Sequence, residues 1–216
     1  MVYYGISPSR ELEIIGYYPQ TTFSDNYNLG TNISHRNVIW NTFPSFVPEY
    51  KLKLNQGALV TDFIDATDLP TGIIVSEKFE KILSRFILPD THIYPVSIDI
   101  NKDILHYQWI HYINDLYPYI DFDKTTIEIF HKFNFNVLDT VLLKSEENLR
   151  QLRSSLGFEK DVRLKELYFN DNFPNYDIMV NNIIGYGNLI SERLLNTLKE
   201  NNITGYEATP YTIIKE

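Results

Sequence analysis

Leu189-Ile190-Ser191-Glu192-Arg193-Leu194-Leu195-Asn196-Thr197-Leu198-Lys199-Glu200-Asn201-Asn202-Ile203-Thr204-Gly205-Tyr206-Glu207 is the stretch from which the fold can be read. Ser191 stands where a helix N-cap belongs, its hydroxyl available to an orphan backbone N–H of the first turn. Ile190 and Leu195 occupy the two positions of a hydrophobic staple. Leu194, Leu195 and Leu198 form a short apolar stripe, and Asn201, Asn202 and Gly205 offer left-handed exits. The spacing predicts strand end, capped helix, tight turn and short strand. The same order starts at Ile74-Val75-Ser76-Glu77-Lys78-Phe79 and ends in Tyr94-Pro95-Val96-Ser97-Ile98, although the staple position there is Glu80.

Working outward, Phe79, Ile82, Leu83 and Phe86 give the earlier helix one apolar face. A third helix opens at Ser145-Glu146-Glu147, with Leu149, Leu152 and Leu156 on one side and Gly157 placed for a Schellman ending. The rest reads as strands: Leu12–Tyr18 closed by Pro19, Tyr50–Leu54, Leu59–Ile64, Tyr94–Ile100, Leu105–Ile113, Tyr119–Phe122, Thr126–Phe133, Thr140–Leu143, Leu164–Phe169 and Tyr176–Val180. Period-two patterning with short Asn/Asp/Lys turns favours antiparallel neighbours. Residues 25–50 are loop-heavy, and turns are expected at Asp65–Pro70 and at Gly185-Tyr186-Gly187. The expected class is therefore α+β, mostly antiparallel strands with three or more short helices, forming one compact unit over 1–216. Two similar lobes are an option, with a weak boundary at Asn101–Asp103 (1–100 and 101–216).

Composition narrows the function. Apolar residues make up 44% of 216, ample for a core. Cysteine is absent, which excludes disulfides, thiol catalysis and Cys-ligated metals. Neither a signal-peptide pattern nor a membrane-length apolar run is visible, so a cytoplasmic location is expected. The formal charge of −9 repels phosphates and argues against nucleic-acid binding, while it suits a basic protein partner.

No catalytic constellation emerges. His106 and His111, at odd spacing on one strand, fall on opposite faces and cannot share a metal. Asp121 and Asp123 would share a face of a strand and could bind a cation or act as acid and base with His131; the plainer reading is a turn before Lys124. There is no GxSxG, Ser-x-x-Lys, GxGxxG or Walker pattern. Neither a cofactor nor an enzyme is expected. Asp62, Asp65 and Asp68, with Glu11 and Glu13 and nearby aromatics, are candidates for docking a basic protein surface, as are Asp121 and Asp123; solvated loops are the alternative.

The stretch Leu189–Leu194 with Leu198 and Ile203–Glu207 resembles the C-terminal signature of a bacterial immunity family, the eleventh numbered one of polymorphic toxin systems, or a closely related immunity family. That signature reads hydrophobic-Ser-Glu-Arg/Lys-Leu, a helix, then Thr-Gly-aromatic/aliphatic-Glu. Ile74–Phe79, Tyr94-Pro95 and Tyr119–Phe122 also look like it, and the resemblance covers roughly residues 70–210. It implies a small cytoplasmic protein, without catalytic residues, that binds and neutralises a cognate toxin. If that toxin is a nuclease, its basic cleft would accept carboxylates in place of phosphates. The rival readings are a hydrolase-type enzyme built on His131 and the aspartates, and a general interaction or scaffolding protein.

Overall fold

The computed structural model describes residues 1–66, 68–185 and 187–215; Thr67 and Tyr186, which fall in two of the expected turns, lie outside the described residues. The elements run β1 (Tyr3–Pro8), α1 (Leu12–Ile15), β2 (Thr21–Phe23), β3 (Lys51–Leu54), β4 (Phe63–Ile64), β5 (Ile73–Ser76), α2 (Glu77–Leu83), β6 (Asp90–Ile100), β7 (Asp103–Ile113), β8 (Thr126–His131), β9 (Val137–Leu142), α3 (Glu146–Ser155), β10 (Lys160–Tyr168), β11 (Ile178–Asn181), β12 (Gly187–Ser191), α4 (Glu192–Glu200), β13 (Tyr206–Tyr211) and β14 (Ile214–Lys215). They build three sheets, ordered β2-β3-β6-β7-β5-β4, β11-β12-β1-β13 and β14-β10-β8-β9. Pairing is antiparallel except at β3–β6 and β10–β14, so the α+β expectation is met.

The two Ser-Glu stretches occupy equivalent places. Hairpin β4-β5, helix α2 and strand β6 lie around a central β7, in the order β6-β7-β5-β4; hairpin β11-β12, helix α4 and strand β13 lie around β1, in the order β13-β1-β12-β11. The likeness extends to side chains. Ser76 caps α2 by accepting from Phe79 N–H and donates to Asp62; Ser191 caps α4 by accepting from Leu194 N–H and donates to Asp177, at the same separation of 14 residues. Each aspartate also grips the segment leaving the other helix. Asp62 accepts from Thr204 N–H, beyond α4, and Asp177 accepts from Ile87 N–H, beyond α2. The central strand follows its unit in the first case and precedes it in the second, so the units span 62–113 and 3–8 with 177–211, not the halves 1–100 and 101–216. Asn101–Asp103 is a hairpin turn between the fully paired β6 and β7.

The two related sheets are packed on both faces. α2 and α4 meet between the two related sheets, burying Phe79, Ile82 and Leu83 against Leu194, Leu195 and Leu198. Burial of such side chains is worth about 1.5–3 kcal/mol each. β7 is buried on both faces: Ile110 and Tyr112 face the helices, while Trp109 and Tyr107 face the residue 24–50 segment. That explains why its aromatics do not alternate. The other face of β1 and β12 (Tyr3, Leu189) packs against Leu149 of α3 and Val162 and Leu164 of β10.

Four local expectations are corrected. Leu12–Tyr18 is not a strand: Leu12–Ile15 is a helical turn in which only Ile15 is buried. An alternating strand would need a second apolar residue to bury, and Leu12 stands 59% exposed. Of Leu59–Ile64, only Phe63 and Ile64 are strand. Tyr119–Phe122 becomes the end of a 3-10 turn over Tyr117–Tyr119, started by Pro118, with Ile120 alone bridging Phe169. Helix α3 ends with Leu156 in extended backbone and Gly157 outside the left-handed region, so no Schellman turn forms.

Candidate functional site

Among the described residues no group of His, Asp and Glu could hold a metal ion, and no helix is long and apolar enough to cross a membrane. His131 ends β8, whereas Asp121 and Asp123 precede its start. A six-residue strand spans about 17–20 Å, so the three do not meet. His131 instead lies 3.8 Å from Glu159. Asp121 and Asp123 form a turn, the Asp123 N–H donating to Asp121 Oδ1 at 3.1 Å, with Lys124 Nζ 3.1 Å from Asp121; they share no strand face. His106 is exposed and His111 buried on opposite faces of β7, as their spacing requires.

The docking aspartates separate into different roles. Asp62 is a structural clamp, accepting from Ser76 Oγ (2.7 Å), Thr204 N–H (3.1 Å) and Thr204 Oγ1 (3.3 Å). Asp68 pairs with Arg36 at 2.6 Å, beside the residue 24–50 segment. Asp65 remains half-buried beside Arg10; burial pushes its carboxyl upward, and the guanidinium and the backbone contact with Gln20 partly offset this.

Asp65 is linked through Gln20 to an exposed apolar segment: its N–H donates to Gln20 Oε1 at 3.3 Å. Leu12, Tyr17, Tyr18, Leu59 and Val60 are each about half exposed, and the two segments that carry them meet at Ile15, Gln20 and Leu59. Leu59 N–H donates to the Ile15 carbonyl at 2.7 Å, and the Leu59 carbonyl accepts from Gln20 Nε2 at 2.7 Å. Gly16 allows the approach: at φ +74 its absent Cβ would sit 2.2 Å from the Gly57 carbonyl oxygen. Arg10 lies 5.7 Å over the Tyr18 ring and its N–H donates to Glu207 at 2.6 Å. Around this apolar surface stand the exposed carboxylates Glu11 and Glu13. Tyrosine and leucine on a rigid loop, rimmed by charge, are the ingredients of a protein-binding patch. The sequence pointed at the acids; it missed that Leu59-Val60 join Tyr17-Tyr18, because reading both as strands hid the loop contact between them.

No protein-family model matches the chain, and no curated protein matches it either, so the resemblance over residues 70–210 stands on its motifs alone.

Proposed function

We propose that this chain is an immunity protein, neutralising a cognate bacterial toxin by stoichiometric binding, with the Leu12–Tyr17–Tyr18–Leu59–Val60 patch as the docking face. The observation that carries the reading is that patch: exposed tyrosines and aliphatics fixed by internal hydrogen bonds, with Glu11, Glu13 and Asp65 at its edge. A carboxylate rim suits a basic partner and accelerates encounter with it. The formal charge of −9 acts in the same direction. The Ser-Glu-Arg-Leu and Thr-Gly-Tyr-Glu motifs add the family resemblance. His131 and the pair Asp121 and Asp123 lie at opposite ends of β8, which weighs against the site that the hydrolase alternative would use.

The test is co-expression with the product of the adjacent upstream gene, scoring growth and then recovering the pair by affinity capture. Rescue with a one-to-one complex, weakened about tenfold or more by Tyr17→Ala with Tyr18→Ala and weakened by added salt, is expected. Absence of toxicity and of a complex would overturn the immunity reading. A complex indifferent to both tyrosines would keep immunity and move the docking face elsewhere.

A further inference from the structure

The residue 24–50 segment covers the side of β6 and β7 that carries Tyr94, Tyr107 and Trp109, and three of the five histidines of the chain lie at that joint. Its outer part, residues 35–48, is a loop closed at the neck. Ser34 and Glu49 form a β-bridge, the His35 N–H donates to the Glu49 carbonyl at 3.1 Å, and the Glu49 N–H donates to the Ile33 carbonyl at 2.7 Å. Between those ends the chain forms an Ω-loop. Among the described residues, 39–48 make no backbone hydrogen bond to any strand or helix; the bond from Thr42 N–H to the Ile39 carbonyl is internal. Side-chain packing holds the loop down: Val38 is buried and Phe43 and Phe46 half-buried, while Ile39, Trp40 and Val47 stay exposed.

Imidazoles sit at the neck and on the floor of this loop. At the neck, His35 stacks on Tyr50 with ring centroids 4.0 Å apart; its Nδ1 lies 2.6 Å from the Tyr27 hydroxyl, and its Nε2 has no hydrogen-bond partner. On the floor, Phe43 lies flat on His92 at 3.9 Å and edge-on to His111 at 5.0 Å, and His111 stacks on Trp109 at 5.4 Å. His111 is fully buried, and neither ring nitrogen closes a hydrogen bond, although the Trp40 backbone faces it. A second proton on either ring would put a charge and an N–H where nothing accepts them. The surroundings do not compensate. His111 meets His92 and Tyr94 from β6, with Asp90 at the exposed end of that face, Phe43 and Trp40 from the loop, and the uncharged Ile73–Ser76 from β5. His35 meets Arg36, whose guanidinium engages Asp68 at 2.6 Å, and Glu49, whose carboxylate lies 2.6 Å from Lys51.

We propose that residues 35–48 are an acid-opened flap: protonation of His111 beneath the loop and of His35 at its neck lifts it from β6 and β7 and uncovers Trp109 and Tyr94, while the sheets stay folded. Lifting 39–48 breaks no strand pairing, which places it at the low-cost end of the local openings of this fold. Burial holds both rings at about 4, against the ordinary 6.5. The closed loop therefore binds fewer protons than the open one, and each histidine moves the equilibrium toward opening about a hundredfold between pH 7 and 4.

The test uses the two tryptophans, one in the loop and one beneath it. Trp40→Phe, at an exposed position, leaves Trp109 as the reporter and serves as the parent. On titration from pH 7 to 4, the expected result is a red-shifted Trp109 emission and a several-fold rise in its quenching by acrylamide. Both should precede any change in far-ultraviolet circular dichroism and reverse on neutralisation. His111→Phe keeps a ring and removes the charge, and should hold the loop closed at the pH where the parent is open. Phe43→Ala weakens the closed loop without touching a histidine, and should move the midpoint toward neutral pH by about half a unit or more. That variant decides alone if His111→Phe does not fold. Trp109 that stays shielded down to pH 4, quenching that rises only as the far-ultraviolet signal is lost, or a midpoint left in place by Phe43→Ala or by a folded His111→Phe would each overturn the inference.

Discussion

Asp177→Ala should be the most damaging of the small polar truncations in this chain, and its cost can be worked from its contacts. The side chain is fully buried. Its carboxylate accepts from Ser191 Oγ at 2.6 Å, from Ile87 N–H at 2.8 Å, and from the Arg193 guanidinium through Nε at 2.5 Å and through a second nitrogen. Arg193 is half exposed, so its head group can return to water and its share is discounted to about 0–1 kcal/mol. Ser191 and Ile87 N–H cannot escape so easily. Two hydrogen bonds to a buried charge, each about 1.5–3 kcal/mol, bring the total with the Arg193 share to about 3–7 kcal/mol. Asp62→Ala removes the related clamp at a site 17% exposed, with one short bond and two longer ones, and should cost about 1–2 kcal/mol. Urea unfolding followed by far-ultraviolet circular dichroism measures both. With a slope of about 2–3 kcal/mol/M the Asp177 variant should unfold about 1–3.5 M earlier than the parent. A loss below about 1 kcal/mol at Asp177, or one no larger than at Asp62, would refute the view that burial of the carboxylate sets the cost.

Acid should weaken the fold through two histidines. Burial holds His35 and His111 at about 4, below the ordinary 6.5; Arg36 adds to the effect at His35 and His92 at His111, while Asp68 and the Trp40 backbone oppose it in turn. The native state then binds fewer protons than the unfolded one, so the stability contributed by each is complete above about 6.5, falls as pH drops toward about 4, and is lost below that. Denaturation midpoints between pH 7 and 4 measure the decline, and His111→Phe should flatten it. Gly205→Ala should cost about 2 kcal/mol or more, since the backbone sits at φ +87 and a Cβ would meet the Phe63 carbonyl oxygen at 2.3 Å; Gly157→Ala, with nothing within 4 Å, should be within about 0.5 kcal/mol of the parent by the same unfolding assay. Ser191→Ala removes both the cap of α4 and a donor to Asp177, and a loss of about 2 kcal/mol or more in thermal unfolding is expected, larger than for the half-buried cap Ser145→Ala.

The helices were legible because their signals are local. A serine cap and an apolar stripe at 3.6-residue spacing lie within a dozen residues, and α2, α3 and α4 follow them, α4 alone adding the left-handed exit at Asn202 and Gly205. The long hairpin of β6 and β7 was legible for the same reason. What failed depends on partners far along the chain. Leu12–Ile15 is apolar enough for a strand, and only the absence of a neighbouring strand and the presence of Gly57 decide otherwise. Tyr119–Phe122 has strand composition but is spent on a turn that delivers Thr125 and Thr126 to β8. The docking patch needed the contact of Ile15 with Leu59, across 44 residues, which no periodicity reports. Asp62 was visible as an acid but not as a clamp, because its partner Thr204 lies 142 residues away.

The placement of β1 bears on how the molecule is made. Tyr3–Pro8 is synthesised before the two strands it lies between, Gly187–Ser191 and Tyr206–Tyr211. Throughout translation this segment has neither neighbour, and contacts of such span form slowly. The nascent chain must therefore keep an apolar, strand-forming segment open until residues 187–211 arrive, and premature termination before Gly187 would leave that segment as an unpaired, adhesive strand.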